Sequence, residues 1–525
     1  MKFFLKVHKW LGLLLAFFLI VFSLSGIFLN HRQGIAKLDI PRSVLPDSYK
    51  YENWNNSAVK GTFKLGPDSI LLYGGSGVWL TDSLHSGFSS FMEGMLNGAD
   101  NRNTTNILRT ENNDIFAITT FDLYQLNTTA NKWDRQTHIL GLDERIADIT
   151  SKGDSLVIIT RSHAYISTYP HQNFHKIELL APSDYRKEIP LFRAIWTLHS
   201  GEMFGSIGKL FVDFIGLVFI ILSLSGIVVL FFPKVIKRIK LREKRRKFSS
   251  FIRGNLRWHN KLGSWFLIFS IIVILSGIFL RPPAMIFIIR DKIKPIPGSV
   301  HDTSNPWFEK LRNIRYDKYS KEWFIYTSGG FYSLQELDSK PAAIPKVPLI
   351  SVMGVTVLEE LAPNLWVVGS FNGLYYWERK SGMSVDITQM RPVFLTESRV
   401  EGNLIEPQRG VMGGIDVSGY SKDFPNKEIV FSYSKGALTI GKPEAFAQIP
   451  DKIKDVNMSL WHVSLEAHVG RIYTPLVNNI MGESYFILFS GIASLIVFIF
   501  GYIIYRKRYR KKRKNETTNK DQESL

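Results

Sequence analysis

The side chains with the clearest chemical potential in this sequence are four histidines that flank long apolar stretches. His8 and His259 stand before the first and third stretches, and His199 and His468 stand before the second and fourth. Imidazole nitrogens bind transition metals and haem iron. The 525-residue chain has no cysteine, which excludes disulfides, thiolate metal sites, cysteine-held iron–sulfur clusters and haem attached through CxxCH. Any metal or cofactor must therefore be bound by histidine, methionine, tyrosine or carboxylates.

The histidines belong to a repeated sequence phrase. The stretch "LSGIFLNH" (Leu24–His31) returns 251 positions later as "LSGIFLRP" (Leu275–Pro282). The match extends back without a gap, so that "VHKWLG" (Val7–Gly12) is equivalent to "WHNKLG" (Trp258–Gly263). The two copies have the same orientation, and a pseudo-two-fold axis along the membrane normal would relate such parallel repeats.

Residues that are equivalent in the two copies face each other across this axis. We therefore expect His8 to pair with His259 at the inner membrane surface, and His199 to pair with His468 at the outer surface. Two facing imidazoles are the axial ligands of a low-spin haem, and a four-helix bundle offers an apolar slot for the macrocycle. The pattern predicts one low-spin haem at each pair. A non-haem metal pair is the alternative, although zinc requires four ligands, and each histidine alone is typical of an interface anchor.

Three more residues at the membrane edges are not matched by the same residue type in the other copy. His31 ends the first apolar stretch, and we interpret it as the first substitute if His199 or His468 is not an outer ligand. His462 precedes the fourth stretch, and both unpaired histidines are candidates for tuning the outer haem or contacting substrate. Arg281 is a candidate partner for a haem propionate or an anionic chelate. The alternative is that Arg281 is an interface residue whose side chain extends towards water. The residue that performs catalysis is not identified.

Four apolar stretches are long enough to cross a membrane, which takes about 20 residues. They are Trp10–Leu29, Leu210–Phe232, Leu262–Leu280 and Tyr485–Tyr505. Eleven Lys or Arg and one acid lie between Lys234 and Arg257, and "RKRYRKKRK" (Arg506–Lys514) follows the fourth stretch. The positive-inside rule places these segments and both termini in the cytoplasm, with the two long loops in the periplasm. The net charge of +19 thus indicates contact with anionic lipid in the bacterial inner membrane, and not nucleic-acid binding.

The two long loops are rich in apolar stretches that turn at small residues, as antiparallel hairpins do. Examples are "DSILLYGGSGVWLTD" (Asp68–Asp82) and "NLWVVGSFNGLYYWERKSG" (Asn364–Gly382). Three such units occur in each loop. Three blades cannot close a ring, whereas two sets of three can close one ring of about six. We expect one composite propeller-like domain, with two separate small β domains as the alternative.

The predicted fold class is therefore a four-helix membrane protein, built as a duplicated two-helix unit, with an all-β domain formed from the two loops. The predicted transmembrane helices are the first at 1–32, the second with its entry segment at 196–233, the third at 258–282 and the fourth with its entry segment at 456–505. The predicted β segments are 33–195 and 283–455. The basic segments are a loop at 234–257 and a tail at 506–525.

The remaining six histidines show no partner pattern, and we interpret them as surface residues. They are His85, His138, His163, His171, His175 and His301. The sequence also shows no Walker A, HExxH, GxSxG or dinucleotide-binding motif. The last ten residues, "ETTNKDQESL", are polar and typical of a disordered end.

The apolar segments resemble the PepSY-associated transmembrane family. The resemblance rests on "HKWLGL" at the first stretch, "LSG" within it, "LHSGEMFGSIGKLF" (Leu198–Phe211) before the second, and the second copy of this set. It implies a four-span duplicated layout and b-type haem held by the recurrent histidines, here His8, His199, His259 and His468. Members include inner-membrane reductases of iron–siderophore uptake. The outer loops depart from the family, because they show blade-like hairpins and no PepSY domains.

Two functions follow from these observations. The first is electron transfer across the inner membrane to a ferric siderophore or another ferric chelate, which makes the protein a ferric-chelate reductase. Its electron donor would be a membrane quinol or a cytoplasmic flavoprotein. The alternative is a membrane-anchored propeller that binds a ligand or partner and has no redox activity. Bound haem discriminates between them.

Overall fold

The computed structural model describes residues 1–136, 144–236, 238, 241–387, 391–393, 414–441, 446–477 and 482–523. The chain divides into two compact units. The helical unit comprises Met1–Arg32, Glu188–Asp302 and Trp461–Leu525, and the β unit comprises Gln33–Lys187 and Thr303–Leu460. Each long loop therefore contributes to the same β unit. Along the chain, the β unit gives way to the helical unit after Lys187, and the helical unit gives way to the β unit after Asp302. The corresponding boundaries predicted from the sequence were 195 and 283.

The described part of the chain contains ten α-helices. They are α1 (Lys2–Asn30), α2 (Arg32–Ile35), α3 (Leu191–Ser200), α4 (Gly205–Ile236), α5 (Arg242–Trp265), α6 (Leu267–Phe279), α7 (Asp451–Lys454), α8 (Leu460–His468), α9 (Thr474–Val477) and α10 (Gly482–Glu523). Short 3₁₀ turns lie at Arg42–Val44, Asp47–Tyr49, Glu202–Phe204, Ala284–Phe287 and Arg471–Tyr473.

Three of the helices, α1, α4 and α10, are long and apolar enough to cross a membrane. Helices α5 and α6 form a fourth crossing only if they are one broken span, because they bend by 64° at Phe266. Within the helical unit, α1 packs against α4 and α10, α4 against α5, and α10 against α6. These contacts bring the two sequence copies together.

The structure differs from the sequence interpretation in two basic segments. The stretch 234–257, interpreted as a loop, is helical from Arg242 onward as part of α5. The basic tail continues α10 as far as Glu523, where a disordered end was expected. Both segments are rich in Lys and Arg, which have high helix propensity, and charge alone does not end a helix.

The described strands of the β unit form six antiparallel groups, called sheets 1 to 6 in chain order, of which sheets 1 and 6 are joined into one seven-stranded sheet by a parallel bridge. β1 (Asp39–Ile40) precedes them. Sheet 1 is β2 (Gly61–Gly66), β3 (Ser69–Gly74), β4 (Gly77–Thr81) and β5 (Ser89–Ser90). Sheet 2 is β6 (Thr104–Arg109), β7 (Ile115–Thr119), β8 (Leu123–Asn127) and β9 (Lys132–Arg135). Sheet 3 is β10 (Ile146–Lys152), β11 (Ser155–Thr160), β12 (Ala164–Thr168) and β13 (His175–Ile177). β14 (Ile189–Pro190) and β15 (Lys292–Ile293) pair with each other in the helical unit.

The second loop supplies the other three sheets. Sheet 4 is β16 (Leu311–Asp317), β17 (Glu322–Thr327), β18 (Gly330–Leu334) and β19 (Ala342–Ala343). Sheet 5 is β20 (Val355–Ala362), β21 (Leu365–Ser370), β22 (Gly373–Glu378), β23 (Ser384–Asp386) and β24 (Arg391–Val393). Sheet 6 is β25 (Val417–Ser421), β26 (Ile429–Ser432) and β27 (Gly436–Thr439), and β28 (Met458–Ser459) pairs with β1.

The six sheets follow one another in a closed series. The first strand of each sheet contacts the first strand of the next, and β25 of sheet 6 returns to β2 of sheet 1 through a parallel pairing of Tyr420 with Gly61. Six clusters of buried apolar side chains fill the interfaces between sheets 1 and 2, 2 and 3, 3 and 4, 4 and 5, 5 and 6, and 6 and 1. No loop supplies a complete series alone, since the interfaces of sheets 3 and 4 and of sheets 6 and 1 each join both loops.

Polar contacts along the first strands reinforce this series. Asp148 of β10 is 2% exposed and accepts hydrogen bonds from Asn106 of β6 at 2.9 Å and from Arg315 of β16 at 2.5 Å. A buried carboxylate is costly unless it is paired and hydrogen-bonded, so these two partners stabilise it. One side chain thereby links sheets 2, 3 and 4.

Glu359 of β20 gives the β unit a specific pH dependence. The pKa of this carboxyl group is raised to about 7, mainly by burial and also by the nearby Asp423, while Lys422 and Arg315 lower it in part. Between its ordinary pKa of 4.5 and about 7, the folded protein holds this proton more tightly than the unfolded chain does. The contribution of Glu359 to stability therefore falls as pH rises through this window.

We predict that Glu359→Gln stabilises the full-length protein more at pH 8 than at pH 5, by on the order of 2 kcal/mol. Thermal unfolding at both pH values measures this. Glu336→Gln is the matched control, because Glu336 is 65% exposed beside Lys152. Equal stabilisation by Glu359→Gln at both pH values would contradict the prediction.

Candidate functional site

Four histidines of the helical unit form two pairs. The rings of His8 on α1 and His259 on α5 lie 6.2 Å apart between centroids, with an interplanar angle of 73°. The rings of His199 on α3 and His468 on α8 lie 5.9 Å apart, with an angle of 55°. The structure thus brings together the residues that the repeat predicted to face each other.

The second pair is held by the repeated "LSG" segments. The Nδ1 atom of His199 lies 2.9 Å from the Val273 carbonyl oxygen and 3.1 Å from Ser276 Oγ. The Nδ1 atom of His468 lies 3.0 Å from the Phe22 carbonyl oxygen and 3.1 Å from Ser25 Oγ. These partners are themselves equivalent in the two copies, so each histidine is seated by an apolar helix of one copy.

The first pair is held in a similar way with one difference. His259 Nδ1 lies 2.8 Å from Ser225 Oγ, and this hydroxyl donates to the Leu222 carbonyl at 3.0 Å. His8 Nδ1 lies 2.9 Å from the Val497 carbonyl oxygen, and no serine joins it. The two histidines are therefore anchored on α4 and α10, with a more polar seat for His259.

These contacts determine the tautomer of the rings. A carbonyl oxygen only accepts hydrogen bonds, so Nδ1 of His8, His199 and His468 must carry the proton and donate it. Ser225 already donates to a carbonyl, so its oxygen accepts from His259 in the same way. Nε2 is then unprotonated on each neutral ring and retains a lone pair for a metal. Among the described residues, no hydrogen-bond partner contacts any of the four Nε2 atoms.

A glycine lies under each ring. A Cβ atom built on Gly277 would approach Cε1 of His199 to 2.9 Å, and one on Gly26 would approach His468 to 3.1 Å. The corresponding distances are 2.9 Å from Gly501 to His8 and 3.5 Å from Gly226 to His259. At three of these positions a side chain would displace the imidazole, so glycine is needed for the ring to lie against the helix.

A cavity of about 560 Å³ adjoins the first pair. This volume lies within the usual range for small-molecule and cofactor sites. Its walls are mainly apolar, with His8 and His259 facing it beside Gly12, Gly226, Gly263 and Gly501. Lys9, Asn260, Tyr502, Tyr505 and Arg508 supply polar groups.

The geometry of both pairs fits axial ligation of haem iron. Two iron–nitrogen bonds of about 2 Å and two ring radii of about 1 Å add to a centroid separation of about 6 Å. The measured separations are 6.2 and 5.9 Å. The donor set is also suitable, because neutral imidazoles with anchored Nδ1 atoms are effective haem ligands. Among the described residues, no group of three or more His, Asp or Glu side chains could hold a metal ion.

The three unpaired candidates lie elsewhere in the helical unit. His31 follows α1 and places Nε2 2.7 Å from Asp213 Oδ2. His462 lies 3.7 Å from Glu466, whose carboxylate also accepts from Arg471. Arg281 follows α6 and is partly buried. His31 is thus held by a carboxylate and is no member of either histidine pair.

Two of the histidines interpreted as surface residues are buried instead. His171 is 4% exposed, and its Nδ1 bonds the Ser167 carbonyl oxygen. His301 is 6% exposed and lies 3.1 Å from the Thr197 hydroxyl in the helical unit. The surface interpretation was wrong for both, because sequence spacing does not reveal which loop residues pack inward. His138 lies outside the described residues.

The sequence analysis missed two residues that the site contains. Ser225 holds His259, and its signal was the "LSLSG" segment of the second apolar stretch. Asp213 bonds His31, and its signal was a lone acid inside an apolar stretch, a placement that is costly and usually functional.

Comparison with known proteins places these observations in context. The family model described as the PepSY-associated TM region matches residues 5–508. No curated protein matches the chain. Together with the long apolar helices near both ends, the family match makes this chain a membrane protein.

Solved structures match only distantly. An extracellular domain assigned to a hybrid two-component system of B. thetaiotaomicron is 10% identical with a TM-score of 0.34, over 76% of this chain and 34% of that chain. PorZ, a surface component of the type-IX secretion system of Porphyromonas gingivalis, is 9% identical with a TM-score of 0.30, over 72% and 31%. This chain spans about a third of the length of these structures.

We predict opposite effects of one substitution at two glycines. Gly277→Ala should destabilise the protein by about 1–3 kcal/mol, because the added methyl group overlaps His199. Gly254→Ala in α5 should stabilise it by up to about 1 kcal/mol, because alanine favours a helix. A Cβ atom built on Gly254 would have no atom within 4 Å outside the adjoining backbone of its own helix. Thermal unfolding of the detergent-solubilised protein compares the two, and a loss of stability in both variants would contradict the assigned contact.

Proposed function

The chain belongs to the family of the PepSY-associated TM region, and from this premise we propose that it is a haem-containing electron-transfer protein that reduces ferric chelates. The substrate class is a ferric siderophore or a similar oxygen-ligated Fe³⁺ complex. Such chelators bind Fe³⁺ as a hard ion and hold Fe²⁺ much more weakly, so that reduction releases the metal. The protein then acts as a ferric-chelate reductase of the bacterial inner membrane.

One observation carries this proposal. Two histidine pairs, with centroids 6.2 and 5.9 Å apart, each present two anchored imidazoles from different helices. An interface anchor needs neither a partner histidine nor a glycine seat, whereas a ligand to haem requires an accessible Nε2 and a fixed ring. Because each ring has both a partner histidine and a glycine contact, ligation of haem is favoured over a role as an interface anchor.

In this function the chain holds haem b at both pairs. His8 and His259 would bind the iron of an inner haem, and His199 and His468 that of an outer haem. Bound haem supplies a one-electron Fe³⁺/Fe²⁺ couple. The carbonyl and hydroxyl acceptors at Nδ1 keep the rings in the ligating tautomer and raise the basicity of Nε2. With two histidines at each site, a bound haem would serve electron transfer and not direct binding of substrate to its iron.

Two sites are needed to cross the membrane. His8 and Ser25, which seats His468, lie 17 positions apart on α1. At a rise of 1.5 Å per residue this corresponds to about 25 Å, most of the hydrocarbon thickness. A single haem would leave a long gap on one side, whereas two divide the distance.

Charged groups near each pair suit the haem propionates. Lys9 and Arg508 line the cavity of the inner pair. On the outer side we assign Arg281 as a partner of a propionate or of the anionic chelate, because guanidinium groups bind carboxylates in a bidentate manner. His462 lies near Glu466 and Arg471, and we retain it as a substrate contact.

The arrangement in the membrane follows from the charge distribution. Four spans, with α5 and α6 together as the third, put both termini and the basic segments in the cytoplasm and the β unit in the periplasm. Anionic lipid would then contact the basic segments. The electron donor is a membrane quinol or a cytoplasmic flavoprotein.

We infer that the β unit is a six-bladed propeller. The closed series of six sheets and six interface cores supports this, since each sheet buries both faces against its neighbours. Its role in the proposed function is to recognise the chelate or a delivering protein on the periplasmic side.

We predict that His8→Ala and His259→Ala each remove about half of the bound haem, and that His199→Ala and His468→Ala each remove the other half. Haem per protein, measured by the pyridine haemochrome method on purified full-length protein, tests this. His175→Ala is the matched control, because this histidine is exposed in the β unit and should leave haem unchanged.

Combining His8→Ala with His199→Ala should abolish the Soret band and its shift on dithionite reduction. Full haem content in all four single variants would refute the ligand assignment. Absence of haem from the unmodified protein would refute the proposed function as a whole.

A further inference from the structure

Asp213 is an acidic residue within the apolar helix α4, and its side chain is 12% exposed. Its two oxygens have separate partners. Oδ1 accepts from the Asn30 amide at 2.8 Å, and Oδ2 lies 2.7 Å from His31 Nε2. An ionisable residue in a membrane span is costly and is usually retained for function.

The contact with Asp213 gives His31 a defined orientation. A carboxylate oxygen accepts, so Nε2 of His31 carries the proton and donates it. Nδ1 therefore becomes the reactive nitrogen of the ring. The His31 side chain is 47% exposed, which leaves this nitrogen open to an incoming molecule. A carboxylate that orients an imidazole and balances its positive charge is the arrangement used for general acid–base catalysis.

The dyad lies at the same end of the helical unit as the pair His199–His468. Asn30, which bonds Asp213, also donates to the carbonyl oxygen of Ser200 at 3.1 Å, one residue after His199. Ser25, which seats His468, precedes His31 by six positions on α1, about 9 Å along the helix. A substrate that takes an electron at this pair is therefore close to His31.

Only one copy of the repeat contains the dyad. The positions equivalent to Asn30 and His31 are Arg281 and Pro282. Both histidine pairs use equivalent positions in the two copies, so the dyad is not needed to build them. Its absence from one copy is expected for a group that serves a substrate arriving on one side.

We propose that His31, oriented by Asp213, is the proton donor for release of iron from an oxygen-ligated ferric chelate at the pair His199–His468. This inference rests on the proposed function. It deepens that function by naming the substrate class as a chelate whose iron-bound oxygens must be protonated when the metal leaves.

The step balances in electrons and protons. Fe³⁺ of the chelate gains one electron and becomes Fe²⁺, and a haem held by His199 and His468 would supply this electron. The weakened bond between iron and a chelate oxygen breaks, and this oxygen takes the proton from Nδ1 of the His31 imidazolium. The neutral ring is protonated again from water. Asp213 remains a carboxylate throughout, so it is a positioning residue.

The test uses the haem-loaded full-length protein and two variants, Asp213→Asn and His31→Gln. Each protein is reduced with dithionite, freed of excess reductant and mixed with ferric acetohydroxamate, and reoxidation is followed at the Soret band in H₂O and in D₂O. General acid catalysis contributes about 10²–10⁴-fold in enzymes, and we expect reoxidation to be at least about tenfold slower in both variants. The solvent isotope effect of the unmodified protein should be lost in His31→Gln.

Ferricyanide provides the control oxidant, since it accepts an electron without releasing a ligand. It should reoxidise all three proteins at equal rates. Glu202→Gln is the matched control variant, because Glu202 is a carboxylate of the same unit that lies 3.8 Å from Arg193 and makes no contact with His31 in the described part of the chain. This variant should react with both oxidants at the unmodified rate.

The possible outcomes separate this inference from the proposed function. Unchanged haem with slow reoxidation by the hydroxamate complex alone supports the dyad. Wild-type rates with both oxidants overturn the dyad and leave haem binding intact. Equally slow reoxidation by both oxidants also overturns it, since the defect would then lie in electron transfer and not in ligand release. Loss of one haem in His31→Gln makes His31 an axial ligand and overturns both this inference and the outer pair.

Discussion

The candidate site depends on one interaction, the hydrogen bond from histidine Nδ1 to the backbone of a neighbouring apolar helix. A helix carbonyl is normally occupied by its own ladder, and its second lone pair is accessible only where no side chain covers it. Gly26, Gly277 and Gly501 leave this opening, so that the imidazoles reach the carbonyls of Phe22, Val273 and Val497. The glycine, the carbonyl and the histidine therefore form one unit, and loss of the glycine displaces the ring. Because the same nitrogen is always the donor, Nε2 is always the atom that remains for a ligand.

The duplication explains both the similarity and the difference between the two pairs. His199 and His468 are held by equivalent residues, including Ser276 and Ser25. His8 and His259 are held less equally, because only His259 has a serine, Ser225. Hydrogen bonds to Nδ1 adjust the electron density at Nε2, so the Nε2 atoms of His8 and His259 are not identical donors. The dyad of His31 and Asp213 is a larger departure, present in one copy alone. Equivalent positions of the two copies thus form the two histidine pairs. The proposed substrate chemistry lies at the dyad of His31 and Asp213, where the copies differ.

The β unit is stabilised by closure. Each of its six sheets buries one face against the preceding sheet and the other against the next, so both faces are covered with apolar side chains. Neither loop can satisfy its terminal sheets alone, because an uncovered face would expose residues such as Trp323 or Trp54, which are 1% and 0% exposed here. The β unit requires both loops, which leave and re-enter the helical unit. This constraint links the fold of the β unit to the duplication of the helices.

The sequence by itself determined the pattern-based features of this protein. Apolar length indicated the spans, the repeated phrase paired His8 with His259, and alternating hairpins indicated a β domain from both loops, since each signal is local or repeated at a fixed offset. Other features were decided by the tertiary structure. The break at Phe266, the burial of His171 and His301, and the contact of Asp213 with His31 arise between segments far apart in the chain. No periodicity encodes such contacts, because they depend on how packed helices and sheets bring distant side chains within hydrogen-bond distance. The contact of each histidine with a glycine of another helix is of the same kind, and this packing brings the imidazoles together in the candidate site.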